Sequence, residues 1–184
     1  GRIVQVKPYG ETSAIVEVLT RDHGRHPGLV RGGRSRAMRP VLQPGNKVAA
    51  TWRARLADHL GAFQIEPEDL GAGELMEDRL ALSGLNAACA MAVAALPERE
   101  AHPMVFDGFE VLIDMLGEPQ VWPAIYVRWE AGLLADLGYG LDLSKCAATG
   151  ATEDLIHVSP RTGRAVSAEA GAPYRDKRLA LPAF

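Results

Sequence analysis

Ser13-Ala-Ile-Val-Glu-Val-Leu-Thr-Arg-Asp-His-Gly-Arg-His-Pro-Gly-Leu-Val-Arg31 is the stretch that decides the fold. Residues 13–19 are rich in β-branched side chains and suit a strand. Residues 20–24 form a turn, with Gly24 where a positive φ is wanted. Residues 26–31 begin the next strand. Working outward, Ile3-Val-Gln-Val6 is a strand followed by a turn at Pro8-Tyr-Gly10. Val41-Leu-Gln-Pro-Gly45 is another turn, leading to a fourth strand over residues 47–53. Ala62-Phe-Gln-Ile-Glu66, with alternating apolar residues, is a fifth. Five short strands within residues 2–66 predict a small barrel. An OB-fold is the commonest five-stranded candidate, and such barrels bind single strands and oligonucleotides. Counting alone does not separate it from an SH3-like barrel.

Pro67-Glu-Asp-Leu-Gly-Ala-Gly73 marks a boundary, and beyond it the pattern turns helical. Residues 74–96 carry Leu75, Leu80, Leu82, Leu85, Met91, Val93 and Leu96 with alanines between them, and Pro97 ends the run. Residues 103–116 form a second helix, stopped by Gly117 and Pro119. Residues 121–137 form a third, with Gly138 as its C′ residue. A turn-rich insert at about residues 138–167 holds a short hairpin, 155–159 with 164–167. The expected class is α+β: a barrel domain over 1–66, then an α-helical domain over 67–184 with the insert inside it.

Of 184 residues, 47% are hydrophobic, enough for a buried core. The formal net charge is −3, unevenly spread. Residues 1–66 hold 11 Lys+Arg against 5 Asp+Glu, and residues 67–184 hold 9 against 18. The basic part suits a polyanion; the acidic part suits a scaffold or a protein-docking surface. Two cysteines, Cys89 and Cys146, make no disulfide framework and point to a reducing cytoplasm. No long uncharged apolar run predicts a membrane span. The chain opens inside a strand pattern and stops soon after Leu179-Ala-Leu, as a piece of a longer protein would.

The candidate site is Arg31-Gly-Gly-Arg-Ser-Arg-Ala-Met-Arg39, inside a stretch from His23 to Lys47 with six Lys or Arg and no acid. Glycine supplies backbone freedom and arginine a planar donor fork, which describes a mobile loop that can lie along phosphates. Arg25, Arg31, Arg34, Arg36, Arg39 and Lys47 form the expected DNA-binding set; the competing reading is a solvated surface loop. Tyr9, Trp52 and Phe63 are the aromatic residues of the barrel segment. They fit barrel core or packing better than base stacking, so binding dominated by phosphates is expected. His23 and His26 flank the turn and would add positive charge at low pH.

These residues also carry a family resemblance. The stretch Gly10-Glu-Thr-Ser-Ala-Ile-Val-Glu-Val-Leu-Thr-Arg-Asp-His-Gly-Arg25 resembles the first barrel hairpin of the RecO family of bacterial recombination mediators. Val30-Arg-Gly-Gly-Arg-Ser-Arg followed by Leu42-Gln-Pro-Gly45 is similar to that family's basic loop and next strand. Arg128-Trp-Glu-x-x-Leu-Leu-x-x-Leu-Gly-Tyr-Gly140 resembles the end of its helical domain, and Cys146-Ala-Ala-Thr-Gly150 falls where many members carry Cys-x-x-Cys-Gly. The resemblance implies an N-terminal OB-fold, a helical domain and a zinc-ribbon-like insert, here without a full ligand set. It implies recombinational DNA repair: binding single- and double-stranded DNA and annealing strands. It also implies docking on the C-terminal tail of single-stranded-DNA-binding protein and acting with RecR to load recombinase. Arg128, on a helix among apolar residues, is the candidate contact for that acidic tail, against an ordinary surface ion pair.

No metal or other cofactor is expected. Cys146 with His157 supplies at most two ligands, and zinc takes about four. The sequence holds no phosphate-binding P-loop, no Gly-x-Ser-x-Gly elbow and no His-Glu-x-x-His, so a binding protein without turnover is expected. The alternatives are an RNA-binding or translation accessory barrel and a pure protein adaptor.

Overall fold

The structure is a computed structural model that describes residues 1–56 and 59–181, with Arg175 described by its backbone alone. It divides into two compact units, Gly1–Trp129 and Glu130–Phe184.

In the first unit, β1 (Arg2–Tyr9), β2 (Ser13–Thr20), β3 (Gly24–Val30), β4 (Lys47–Arg53) and β5 (Ala62–Asp69) close into a barrel of order β1-β2-β3-β5-β4. β3 and β5 pair in parallel, and β1 returns to β4 through Arg2 opposite Lys47. This closed ring matches the OB-fold expectation and leaves no free sheet edge. Alternation places Ala14, Val16 and Val18 of β2 inside, joined by Ile3, Val30 and Val48. Strand ends follow the sequence reading to within a few residues, because period-two alternation and the bounding Gly and Pro turns are local signals.

The barrel is followed by a 3-10 turn (Gly71–Glu77), α1 (Arg79–Ala95), α2 (Pro103–Asp114) and α3 (Trp122–Leu134). Asp78 caps α1, its carboxylate accepting from the Leu80 and Ala81 amides at 2.8 and 3.1 Å. Ala81, Gly84, Leu85, Ala88, Cys89 and Ala92 form the buried stripe of α1. Val105, Phe109, Leu112 and Ile113 form that of α2, and Pro103 stands at its first turn. Trp129 packs on Phe109 at 5.6 Å and donates its indole N–H to the Val105 carbonyl at 3.1 Å.

Barrel and helices meet through ion pairs as well as apolar packing. Arg2, 4% exposed, gives Nε to Glu110 at 2.6 Å, Nη2 to Asp114 at 2.5 Å and Nη1 to the Gly45 carbonyl at 3.0 Å. Lys47 gives Nζ to the same Glu110 at 2.9 Å. Gly24, at φ +64°, lies so close to the Glu100 backbone that any Cβ there would collide with it. The acidic half is therefore scaffold in a literal sense: its carboxylates neutralise cations of the barrel.

In the second unit, α3 runs into a single π-turn (Ala135–Tyr139) containing Gly138 at φ +86°. Beyond it, β6 (Leu155–Val158) and β7 (Ala165–Ser167) form the expected hairpin. Three further short elements follow that the sequence reading lacks: α4 (Ala168–Gly171), a 3-10 turn (Ala172–Lys177) and β8 (Leu179–Ala180), which adds to the far edge of β6. No described helix is long and apolar enough to cross a membrane.

Candidate nucleic-acid interface

The segment joining β3 to β4 is a folded cap rather than the mobile loop expected. Successive turns carry hydrogen bonds from Ser35 N to Gly32 O (2.9 Å), Arg39 N to Ser35 O (3.2 Å) and Leu42 N to Met38 O (2.8 Å). Met38, Val41 and Leu42 pack into the barrel core. Asn46, 1% exposed, donates Nδ2 to the Pro40 and Val41 carbonyls at 2.8 and 3.0 Å. One buried amide thus holds the returning chain to the turn that precedes it. The apolar residues interleaved with the arginines are the sequence signal for this cap; the expectation of mobility read only the glycines.

On that anchored floor Arg31, Arg34, Arg36 and Arg39 are all exposed, and none is paired with a carboxylate among the described residues. Arg34 Nη1 donates to the Gly10 carbonyl at 2.8 Å, and its amide donates to the Thr12 carbonyl at 3.0 Å, tying the cap to the β1–β2 turn. Arg34 and Arg39 line one shallow crevice of about 200 Å³ with Val6, Pro8 and Gln43. The cap therefore presents four guanidinium groups from one short rigid stretch, two of them flanking a single depression.

The other two members of the expected set stand elsewhere. Arg25, on β3, is bound to the buried Glu17 carboxylate and to the Leu96 carbonyl at 3.0 Å, with Glu98 at 3.7 Å. Lys47 is committed to Glu110. Both cations are held by carboxylates before any phosphate arrives, and both tie the barrel inward. The partners were illegible because most lie more than sixty residues away in the chain. Glu110 loses charge stability to burial, but hydrogen bonds from Lys47 and Arg2 outweigh that, and its pKa lies below the usual carboxylate value. Lys47 is pushed up by the same bond.

Arg128 is exposed on α3 beside Val127, also exposed. His26 is half-buried, and its pKa is lowered chiefly by burial, which disfavours the charged imidazolium. Cys146 begins a tight knuckle in which the Gly150 amide donates to the Cys146 carbonyl at 2.9 Å. Its buried Sγ accepts from the Ser167 hydroxyl and amide at 3.4 and 3.3 Å. These bonds, joined by one from Thr149, lower the thiol to about 6. Hydroxyls stand where further thiolates would be needed, so the residues around Cys146 do not fit a zinc ion. His157 lies instead against Gly171. Among the described residues no group of three His, Cys, Asp or Glu could hold a metal.

Comparison with known proteins agrees with this architecture. The family model described as Recombination protein O N terminal matches residues 1–68, and Recombination protein O C terminal matches residues 76–184. The DNA repair protein RecO of Phenylobacterium zucineum (strain HLK1) is 60% identical over 182 residues, covering 99% of this chain and 75% of the relative. That of Caulobacter vibrioides (strain NA1000 / CB15N) is 57% identical with the same coverage. That of Rhodospirillum centenum (strain ATCC 51521 / SW) is 56% identical, with 73% of its length covered. A closed five-stranded barrel with a basic cap, helices after it, and both terminal models matched in order over nearly every residue carry one conclusion: the chain belongs to the RecO family.

Proposed function

We propose that this chain is a DNA-binding factor of recombinational DNA repair that engages the sugar–phosphate backbone through Arg31, Arg34, Arg36 and Arg39. The observation that carries this reading is the cap itself: four exposed arginines, free of carboxylate partners among the described residues, on a floor anchored by Met38, Val41 and Leu42. A cap backbone held in place needs less ordering when a strand arrives, and each phosphate its arginines neutralise releases counterions. Such contacts carry no sequence information, which suits a protein that must act wherever damage lies. A cationic cap that screens phosphate repulsion also favours annealing of two complementary strands. The protein acts as a mediator without catalytic turnover. It docks on the C-terminal tail of single-stranded-DNA-binding protein through Arg128 and works with RecR in loading recombinase.

The test is fluorescence anisotropy with labelled single-stranded DNA across a salt series, beside the variant R31A/R34A/R36A/R39A. For single strands each phosphate contact contributes about 0.7 to the slope of log K against log salt, so losing four contacts flattens it by about 3. Absence of binding at low salt by the folded wild-type chain would overturn the reading and favour a protein adaptor.

A further inference from the structure

Trp52 and Phe63 of the barrel line a cavity, although Phe63 also packs against the core. Thr20, His26, Ala50, Trp52 and Phe63, with His23 from the β2–β3 turn, line a cavity of about 380 Å³. On β4 and β5 the residues Ala50, Trp52 and Phe63 alternate with exposed ones, so they stand on the inward-facing side of their strands. The rest of that side is filled: Ile3, Val16, Val18 and Val48 are closed off, and Met38, Val41 and Leu42 of the cap pack against them. Around the cavity, by contrast, three rings remain half-buried.

Their arrangement is built. His26 lies 4.7 Å from Trp52, tilted by 59°, and 6.0 Å from Phe63, nearly edge-on at 68°. Trp52 donates its indole N–H to the Leu60 carbonyl at 3.0 Å, which fixes the plane of the ring. The Arg99 guanidinium sits 5.4 Å from the Trp52 centroid. Gly28 and Gly61 leave the space the rings occupy, since a Cβ at Gly28 would strike Phe63 and one at Gly61 would strike Trp52. Two glycines seat Phe63 and Trp52 against the backbone, and a committed N–H fixes where the Trp52 ring lies.

The lining selects a chemistry. It contains no carboxylate and offers flat π-faces and imidazole nitrogens, the Thr20 hydroxyl being bonded to the Gly24 carbonyl and the His23 amide. Burial lowers the His26 pKa and so disfavours its charged form. Arg53 and Arg55, both exposed, follow Trp52 along the chain. A planar, uncharged ring attached to a polyanion satisfies each of these features, and the cavity lies within the range of about 300–1,000 Å³ seen for ligand pockets. We propose that the cavity receives one unpaired nucleobase of a single strand, stacked among His26, Trp52 and Phe63. This rests on the DNA-binding reading above and adds to it a contact that depends on the base. A base inside a duplex is stacked and cannot enter without being flipped out, so the cavity makes the protein favour single strands.

The experiment compares oligo-dT with an abasic strand of equal length and charge, at one salt concentration, using the full 184-residue chain. Wild type binds oligo-dT about 5- to 100-fold more tightly, the worth of one stacked base. Trp52 fluorescence changes with oligo-dT and not with the abasic strand; Trp122 and Trp129 are 8% and 4% exposed and stay silent. Trp52→Leu and Phe63→Leu each bring the ratio toward one while leaving the salt slope intact. The quadruple arginine variant keeps the ratio and loses the slope. Equal wild-type affinity for the two strands overturns the proposal while sparing the phosphate reading, and needs no variant to fold. No binding of either strand at low salt overturns both.

Discussion

Eight of the eleven basic residues of the barrel segment fall into two groups of four, and the division separates charge that holds the fold from charge that can be used. Arg2, Arg21, Arg25 and Lys47 reach carboxylates: Glu110 and Asp114, Asp107, Glu17, and Glu110 again. Arg31, Arg34, Arg36 and Arg39 reach none among the described residues, although they lie in the same basic stretch as Arg25 and Lys47. Excess positive charge is thus a poor guide to binding charge. The useful quantity is what remains after the scaffold has taken its share.

The contrast can be broken from either side. Glu110→Gln should have the largest effect. It removes the charge that Arg2 and Lys47 share, leaving Arg2 with Asp114 and the Gly45 carbonyl, and weakening two charge-assisted bonds at once costs about 1.5–3 kcal/mol for each. Urea denaturation should register that loss, while the salt slope of DNA binding stays unchanged. The same carboxylate sets an acid dependence. Its folded pKa is depressed, so its contribution is complete above the unfolded carboxylate value of about 4.3 and fades as pH falls through the folded one. The variant's stability should therefore decline less steeply in acid than the wild type's.

Arg25→Ala comes next. It strands the buried Glu17, with only Lys7 nearby at 3.8 Å, and should cost about 3 kcal/mol in the same denaturation assay. DNA affinity of the folded fraction should not change. A fall in salt slope for this variant would erase the division drawn here. The quadruple cap variant should behave oppositely, with the slope flattened and each substitution within about 0.5 kcal/mol of neutral in stability. The smallest effect belongs to Arg21→Ala, since its pair with Asp107 is exposed and should shift neither melting temperature nor affinity measurably.

The two thiols extend the comparison, because they also differ by what they touch. Burial alone pushes Cys89 up to about 12, whereas bonds from Ser167 lower Cys146 to about 6. Both thiols are buried, so alkylation should reach neither before unfolding. Thiolate absorbance in the ultraviolet should instead rise for Cys146 as pH passes about 6, with Cys89 still protonated there. Ser167→Ala should move that midpoint upward.

The five strands were legible because alternation is local: the stretch 47–53 alternates just as β4 does, and Gly24 takes the positive φ its turn required. The end of α1 and the start of α2 followed from Pro97 and Pro103 for the same reason, but α1 begins at Arg79 behind the Asp78 cap instead of at residue 74, and α3 stops at Leu134, before the π-turn that contains Gly138. The arginine cluster was legible as composition, but not its division into held and available groups. Arg25 and Lys47 look like their neighbours until Glu17, Glu98 and Glu110 are brought to them by the fold. Trp52 was harder still. Its strand position says inward, and only the placement of Gly28 and Gly61 reveals that inward here means the wall of a cavity. The order of the cap was hidden in Asn46, whose two carbonyl partners are tertiary in origin.

The seam where β1 meets β4 consists of Arg2 opposite Lys47, and both side chains end on one carboxylate of α2. The ring of strands is therefore latched from outside itself. A barrel excised at residue 70 would carry two cations at its closing edge with their shared acid removed, and should gape there. Chimeras that join the barrel of one family member to the helices of another should succeed or fail according to whether this three-way match of Arg, Lys and Glu survives the exchange. The two halves of the chain, separable by eye, are fastened as one.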